Sequence, residues 1–534
     1  MGLKNELEKQ NDLNRGENVK IYDTTLRDGC QSRDVNLSLH DKLEIIKALD
    51  DYGVDYIELG WPGTNEDDTK VFQEVKKLRL RAKTAAFGST RKLRNRADCN
   101  LKAIVESGAD VATIFGKTWL LHVAKQLGAT PEQNIEAITD SVQCLKSRME
   151  VVYDAEHFFD GYKDNAEYAL ETLKAAYDGG ASCLVLCDTR GGTLSKDVRK
   201  ILSDVKEYVA GNNMQVELGI HAHNDSGIAA ANTLEAVDAG FTHLQVTVNG
   251  FGERCGNADL CAVVPALVLK YKKGLRMKLE NTKKLSDLVY VLSTARPSTC
   301  QPYVGRNAFA HKGGTHLNGI ERIGPEAYEH VEPRKIGNQR FVEWSNQSGR
   351  SNISLFAKET GREFDRADPK AQAMLKEVED MFSKGYDLSL RAERELLYEK
   401  YFGKNRSFFD VRNWEVMSGM ESKREYSKCE ITGIVNGNER DAVIKVDGGP
   451  VDAMFKGLVK LLSPSFPSVK DIRLVNYKVR IAKDKGVESA VNVYIEYENG
   501  ARWATEGIST NILEASFESF VKGFRYHLIK KRAD

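Results

Sequence analysis

The sequence predicts an α/β fold built on a parallel (β/α)8 TIM barrel, and three observations predict it. Short, apolar, β-branched runs alternate with longer amphipathic stretches from residue 19 to about residue 256. Eight such runs occur, at a spacing of about 30 residues, which is typical of a closed barrel. Polar residues capable of chemistry follow the runs, where barrel active sites are built. A doubly wound open sheet is the alternative.

The eight predicted strands are VKIYDTTL from Val19, VDYIELGW from Val54, AKTAAFG from Ala82, VATIFG from Val111, VVYDAEHF from Val151, CLVLCDT from Cys183, VELGIHAH from Val216 and LQVTVNGF from Leu244. The segments between most of them have helical periodicity, as in LHDKLEIIKALDDYG from Leu39. Glycine favours the left-handed conformation that ends many helices. We therefore expect helices to end at Gly53, Gly108, Gly179 and Gly240.

The remaining chain changes character after the barrel pattern. We predict a disordered N-terminus at 1–18, the catalytic barrel at 19–290, helical linker subdomains at 291–422 and a C-terminal α+β regulatory domain at 423–534. In the last domain Pro450 suits the first turn of a helix. The Glu498-Asn499-Gly500 turn between alternating runs predicts a β-hairpin.

Composition excludes several classes of protein. The 534 residues include 77 Lys+Arg and 77 Asp+Glu, so the net charge is zero, and we expect neither nucleic acid nor a membrane as a partner. There is no run of about 18 apolar residues that could span a membrane. The nine cysteines are spread without a CxxC pair, which favours a reducing compartment, and we predict a cytoplasmic location.

His221-Ala222-His223 is the sharpest local motif. Residues i and i+2 of a strand share a face, so the two imidazoles can converge on one ion. Asp28 closes the first strand, and a carboxylate with two histidines suits Mg, Mn, Fe or Zn. The motif predicts a metal site; a pair of buried, hydrogen-bonded histidines is the alternative.

Three further residues follow predicted strands. Arg27 could stabilise a developing oxyanion, or could instead form a salt bridge to Asp28 or Glu58. Glu156 is a candidate general base, with a structural ion pair as the alternative. Thr189 could donate to a substrate carboxylate or could cap a turn.

The glycines from Gly250 to Gly256 do not predict a dinucleotide site. Their spacing is GxGxxxG, and they follow the eighth strand and not the first. We interpret them as letting the backbone approach the metal site closely.

The motifs together resemble a known family. YDTTLRDGCQ, GIHAHNDSG and NGFGERCGN are similar to those of the isopropylmalate, homocitrate and citramalate synthases, which share their barrel with hydroxymethylglutaryl-CoA lyase. ELGWPGTN, AAFGSTRK, TIFGKTWLLHV, YDAEHFFDGYK, CDTRGGT, QPYVGRNAFAHKGG and SGRSN most resemble the long-form citramalate synthases. The resemblance covers about residues 18–530.

The resemblance implies condensation of acetyl-CoA with pyruvate, followed by thioester hydrolysis to (R)-citramalate and CoA, in isoleucine biosynthesis. By this resemblance a divalent metal (Mn, Mg or Zn) is held by Asp28, His221, His223 and, more weakly, Asn257. It likewise implies that Arg27 polarises the keto group, that Glu156 matches the glutamate after strand five and that Thr189 binds the keto acid. His316 and Tyr328 match family residues that the partner subunit supplies, so a homodimer is implied.

The C-terminal domain resembles the regulatory domain of isopropylmalate synthases, which implies feedback inhibition, here by isoleucine. Helices beginning after Asp447-Gly448-Gly449-Pro450 and Gly507-Ile508-Ser509 could attract a carboxylate at their N-termini. A dimerisation domain without an effector is the alternative.

Three other functions remain open from the sequence. An isopropylmalate or homocitrate synthase would use the same chemistry on a larger keto acid. A hydroxymethylglutaryl-CoA-like lyase would cleave a carbon–carbon bond instead of forming one. The long C-terminal region weighs against this function. A non-catalytic amino-acid sensor has no reason to keep Asp28, His221 and His223 together.

Overall fold

The computed structural model describes residues 19–64, 66–93, 99–346, 348–403, 408–421, 424–483 and 489–531. The chain divides into two compact units: Met1–Phe309 with Val331–Gln339, and Ala310–His330 with Arg340–Asp534. The predicted disordered stretch 1–18 lies outside the described residues.

The first unit is a closed barrel of eight parallel strands in chain order, with β8 hydrogen-bonded to β1. The strands are β1 Lys20–Asp23, β2 Tyr56–Gly60, β3 Lys83–Ser89, β4 Val111–Lys117, β5 Glu150–Glu156, β6 Cys183–Asp188, β7 Glu217–Ala222 and β8 His243–Val246. Each falls on a predicted run, so the barrel prediction is confirmed and the open sheet is excluded.

Helices surround this barrel. They are α1 Leu39–Tyr52, α2 Glu66–Val75, α3 Cys99–Ser107, α4 Pro131–Lys146, α5 Phe158–Asp164, α6 Ala166–Gly179, α7 Ser195–Gly211, α8 Ala229–Asp238, α9 Leu260–Leu269 and α10 Thr282–Ser293. Helix α1 begins at a capping box in which the Ser38 and Asp41 side chains each bond the other's backbone. It ends at Gly53 in the left-handed conformation, as predicted. The cap of α6 is Gly180, one residue after the predicted Gly179, because Gly180 carries the positive φ.

The barrel interior and the helix layer form separate apolar clusters. Inside the barrel, side chains including Tyr22, Tyr56, Val152 and Cys183 pack together. Between strands and helices, a larger cluster of aliphatic and aromatic side chains is almost entirely buried. This two-layer core holds the strand ends rigidly, and the loops that follow them carry the candidate active site.

The second unit combines helices with two three-stranded antiparallel sheets and one short parallel pair of strands. Its helices are α11 Gly314–Arg322, α12 Arg350–Glu359, α13 Lys370–Lys384, α14 Arg391–Phe402, α15 Pro450–Leu462 and α16 Ile512–Lys530. Its strands are β9 Ala310–His311, β10 Phe341–Val342, β11 Phe409–Glu421, β12 Arg424–Val435, β13 Asn438–Val446, β14 Arg473–Lys483, β15 Ala490–Asn499 and β16 Ala501–Ser509. Pro450 occupies the first turn of α15, and Gly500 joins the predicted hairpin of β15 and β16.

Two features of this unit were not predicted from the sequence. Strand β11 begins before residue 423 and pairs with β12 from Phe409 to Glu421. The order β11-β12-β13-α15 is then repeated as β14-β15-β16-α16, so the C-terminal region contains an internal repeat of three strands and a helix. Both halves have an Asn-Gly turn between their second and third strands, at Asn436-Gly437 and Asn499-Gly500.

No helix among the described residues is long and apolar enough to cross a membrane. All nine cysteines are free thiols. The cytoplasmic location stays a prediction.

Candidate active site

A cavity of about 260 Å³ opens at the carboxyl ends of the barrel strands. Six predicted site residues line it, namely Arg27, Asp28, Glu156, Thr189, His221 and His223. Parallel strands bring their carboxyl ends to one face of a barrel, which is why residues 195 positions apart meet here.

Asp28, His221 and His223 form a buried cluster at the floor of the cavity. Asp28 Oδ2 lies 3.2 Å from His221 Nε2 and 3.6 Å from His223 Nε2. The two Nε2 atoms are 3.2 Å apart. Metal bonds of about 2.0–2.2 Å leave neighbouring ligand atoms roughly 3–3.5 Å apart, so these three side chains fit one divalent ion. The ligand atoms of all three side chains lie within 4.8 Å of one another, so the group could hold a metal ion.

The charges in the cluster influence one another strongly. Burial opposes ionisation of Asp28, but Arg27 and His221 outweigh it and hold the pKa of Asp28 well below its usual range. Burial lowers the pKa of His221, and the neighbouring Asp28 carboxylate reverses this and raises it overall. Burial and the adjacent His221 lower the pKa of His223 to about 4, which favours the neutral imidazole that a metal requires.

A hydrogen-bond chain behind the cluster sets the tautomer of His221. Gln245 Nε2 donates to Asp154 Oδ1 at 2.8 Å, so its Oε1 faces His221 Nδ1 at 2.8 Å. His221 Nδ1–H therefore donates to Gln245, and Nε2 is left to face the cavity floor. Burial raises the pKa of Asp154 to about 7.

Asn257 closes the cluster from the loop after β8. Its Nδ2 donates to Asp28 Oδ2 at 3.0 Å and lies 3.3 Å from His221 Nε2. Among the described residues, Asn257 Oδ1, Asp28 Oδ1 and His223 Nδ1 are buried without a hydrogen-bond partner. Buried polar atoms normally have hydrogen-bond partners. The unpaired atoms here are therefore consistent with a site that binds a cation and its ligands.

Arg27 is held by three contacts. Its Nε donates to Glu58 Oε2 at 2.6 Å, and Nη1 lies 3.5 Å from Asp28 Oδ2. Its guanidinium carbon lies 3.7 Å above the centre of the Phe87 ring. Both salt bridges considered from the sequence are present, and the side chain also lines the cavity. Glu58 and Asp28 keep the pKa of Arg27 above its usual value although burial opposes this.

Glu156 and Thr189 lie on the opposite wall. Glu156 forms an ion pair with Lys117, the last residue of β4. Thr189 Oγ1 accepts a hydrogen bond from the His157 backbone N–H at 2.8 Å, and its own hydroxyl proton is left for another acceptor. Glu156 thus has the ion pair that was its alternative role, whereas the Thr189 contact joins two loops and is not the predicted turn cap. Both side chains also line the cavity, and their roles stay predictions.

His316 and Tyr328 belong to the second unit. Their rings stack with centroids 4.0 Å apart, and both side chains are exposed. The structure thus brings these two predicted residues together with each other.

Sequence reasoning missed the supporting residues Asp154, Gln245 and Lys117. A usable signal existed, because Asp154 lies two positions before Glu156 and Gln245 is a polar residue within an apolar strand. Period-two alternation puts Asp154 and Glu156 on one face of β5. Lys117 gave no such signal, since its partner lies on the neighbouring strand.

Three family models match the chain. An HMGL-like model matches residues 18–289, a homocitrate synthase post-HMGL domain-like model matches 303–385, and a LeuA allosteric (dimerisation) domain model matches 388–528. Together they cover both units.

Curated relatives match over nearly the full length. An (R)-citramalate synthase of Geobacter sulfurreducens is 43% identical, covering 96% of this chain and 98% of the relative. An (R)-citramalate synthase of Sulfolobus acidocaldarius is 39% identical, covering 96% and 97%. A 2-isopropylmalate synthase of Oceanobacillus iheyensis is 30% identical, covering 97% and 98%. The chain belongs to the HMGL-like family of enzymes and groups within it with the (R)-citramalate synthases.

Proposed function

We propose that this enzyme condenses acetyl-CoA with pyruvate and hydrolyses the thioester, giving (R)-citramalate and CoA. The observation that carries this proposal is the identity of 36–43%, over 95–96% of this chain, with relatives named (R)-citramalate synthase. The cluster of acid, histidine and arginine side chains at the barrel mouth supports it.

In this proposal Asp28, His221 and His223 hold a divalent ion, Mn, Mg or Zn, with Asn257 as a weaker ligand. Their spacing of 3.2–3.6 Å and the orphaned Oδ1 of Asp28 support the assignment. When bound, the ion supplies Lewis-acid polarisation of the pyruvate keto oxygen.

Arg27 and Thr189 orient pyruvate in the cavity. The Arg27 guanidinium is fixed by Glu58 and Phe87, so its remaining N–H groups are pre-oriented toward the negative charge that develops on the keto oxygen. The Thr189 hydroxyl donates to the pyruvate carboxylate, because its oxygen already accepts the His157 N–H.

Glu156 is the proposed base that takes a methyl proton from acetyl-CoA. The resulting carbon nucleophile attacks the keto carbon of pyruvate, and the alkoxide that forms takes up the proton that Glu156 removed. Water then cleaves the thioester to a carboxylate and the free CoA thiol. His316 and Tyr328 of one chain assist the barrel of the other in a homodimer, polarising the thioester or relaying the proton. Their stacked, exposed rings are compatible with contact to another chain.

The C-terminal region is proposed to bind isoleucine as a feedback effector, which would set the enzyme in isoleucine biosynthesis. The match of a LeuA allosteric (dimerisation) domain model to residues 388–528 supports regulation and dimer formation by this region.

The test is release of free thiol from acetyl-CoA by the full chain. Pyruvate, 2-oxoisovalerate, 2-oxobutyrate and 2-oxoglutarate are offered in parallel with Mn²⁺ or Mg²⁺, and EDTA serves as the control. We expect EDTA-sensitive release with pyruvate and strong inhibition by isoleucine but not by leucine.

Release with 2-oxoisovalerate in place of pyruvate would overturn the acceptor and favour a 2-isopropylmalate synthase, the activity named for the relative at 30% identity. Absence of release with all four acceptors would overturn the condensing function.

A further inference from the structure

The opposite end of the barrel contains a second cluster of metal-ligand types that the reaction does not use. Cys183, Glu217 and His243 are the first residues of β6, β7 and β8. A sulfur, a carboxylate oxygen and an imidazole nitrogen from the three side chains all lie within 4.8 Å of one another. Cys183 and Glu217 are direct register neighbours, and β7 pairs with β8.

The cluster lies inside the barrel. Cys183 packs in the interior cluster and is 1% exposed, and His243 is completely buried. The His243 ring packs against Tyr22 and Tyr56, with ring centroids 5.1 and 5.4 Å away. Gly219 leaves space for the His243 side chain, because a Cβ at position 219 would lie 3.0 Å from the Cβ of His243.

Both ring nitrogens of His243 are buried and have no hydrogen-bond partner among the described residues. A buried imidazole has one N–H donor and one acceptor, and leaving each unpaired costs about 1–3 kcal/mol. Ordinary cores avoid this cost, so the unpaired ring points to a bound species. This observation is independent of the grouping of the three ligand atoms.

We propose that Cys183, Glu217 and His243 bind a second divalent cation, of the zinc class, at the amino end of the barrel. Sulfur, imidazole and carboxylate are the ligands that Zn²⁺ prefers, and three protein ligands with one water complete a tetrahedral site. As the metal–sulfur bond forms, the Cys183 thiol loses its proton to solvent. The thiolate and the carboxylate then balance the charge of the ion.

Glu217 provides the route from solvent, since its side chain is 18% exposed. Its Oε2 accepts from Lys20 Nζ at 2.7 Å, and its Oε1 accepts from Thr242 Oγ1 at 2.7 Å. Each carboxylate oxygen has two lone pairs, so each retains one for a metal. The Lys20 contact holds the carboxylate at the rim and leaves one lone pair of Oε2 free to bind a metal.

The two metal sites are separate and chemically distinguishable. Glu217 and His221 lie four residues apart on β7, which corresponds to about 13 Å along the strand. The predicted site at the barrel mouth has oxygen and nitrogen ligands, and the second site adds sulfur. A metal ion that shows an absorption band only when it is bound to a thiolate therefore reports on the second site alone.

The experiment is a titration of the reduced, metal-free full chain with Co²⁺, followed by absorption of the thiolate-to-cobalt charge-transfer band. We expect a saturable band in the wild type that is lost in C183S and persists in D28N, where the barrel-mouth site is impaired and the band should saturate at one Co²⁺ per chain. E217Q, which retains the side-chain shape, should weaken the Co²⁺ affinity of this band by about 10-fold or more. C187S is the matched control, because Cys187 lies on the same strand at the opposite end, and it should keep the band.

Absence of a charge-transfer band in the wild-type chain would overturn the proposal. A band of equal intensity in C183S, or one lost in C187S, would do the same, because another cysteine would then be the ligand. Near-ultraviolet circular dichroism shows whether C183S is folded; if it is not, the E217Q titration decides, and an unchanged affinity there contradicts the site.

Discussion

At the scale of single residues, the candidate site depends on the side chains that orient His221. Gln245 fixes one nitrogen of His221 and is itself oriented by Asp154. Histidine ligands commonly rely on such a partner to set tautomer and orientation. The position of the predicted metal ligands is therefore controlled from inside the barrel.

Replacing Gln245 with Ala should lower the affinity for Mn²⁺ by about 10–100-fold, because His221 loses the acceptor that holds its Nδ1–H. Competition with a fluorescent chelator measures this. Q215A, at an exposed glutamine, is the control and should bind like the wild type. An unchanged affinity in Q245A would show that the tautomer is set in another way.

Glu156 forms an ion pair with Lys117 and also lines the cavity. A catalytic and a structural role of this residue predict different results for its substitution. If it is the base, E156Q should lose about 10²–10⁴-fold in kcat while keeping its thermal stability. Thiol release and thermal melting measure the two quantities. E150Q removes a carboxylate from the other end of β5, where Glu150 pairs with Lys83, and should retain turnover. Full turnover by E156Q would remove Glu156 from catalysis.

At the scale of elements, the loop after β8 shows what its glycines do. Gly256 has a φ of +83°, which favours glycine, and a Cβ on Gly252 would lie 1.9 Å from Asn257 Oδ1. This close packing supports the interpretation that the glycines let the backbone approach the acid–histidine cluster. The glycines of the GxGxxxG segment thus leave room for the Asn257 side chain.

Substituting Gly252 with Ala should displace Asn257 and lower both metal affinity and turnover by at least about 10-fold. G274A is the matched control, because a Cβ on Gly274 meets no atom within 4 Å and Gly274 has no positive φ. Metal titration and thiol release distinguish the two variants. Equal behaviour of G252A and G274A would mean that Asn257 does not need this approach.

At the scale of the whole molecule, the proposed homodimer predicts complementation. Inactive D28N and H316A chains are mixed under conditions that exchange subunits. Half of the dimers are then mixed, and one of their two sites has an intact barrel with an intact His316 from the other chain. We expect recovery to about a quarter of wild-type thiol release. Each variant alone is the control. If subunit exchange is verified and thiol release does not recover, the active site is not shared between chains.

The sequence predicted the barrel well because its signal is local. Each strand from β1 to β8 is a short apolar run, and an amphipathic helix period separates most neighbours. Burial on both faces requires such runs, so the pattern is visible without tertiary information. Strand β11 was missed because a register shift between Val411 and Asn413 interrupts its two-residue period, and the segment becomes a strand by pairing with β12.

The sequence by itself determined the fold class, since motif and period are properties of neighbours along the chain. It also predicted Arg27, Asp28, His221 and His223 as candidate site residues. Only the tertiary structure decided which residues support them. Asp154, Gln245 and Lys117 act across strands, and contacts between strands depend on register. The same is true of Cys183, Glu217 and His243, whose ligand atoms the pairing of β6, β7 and β8 brings within 4.8 Å of one another.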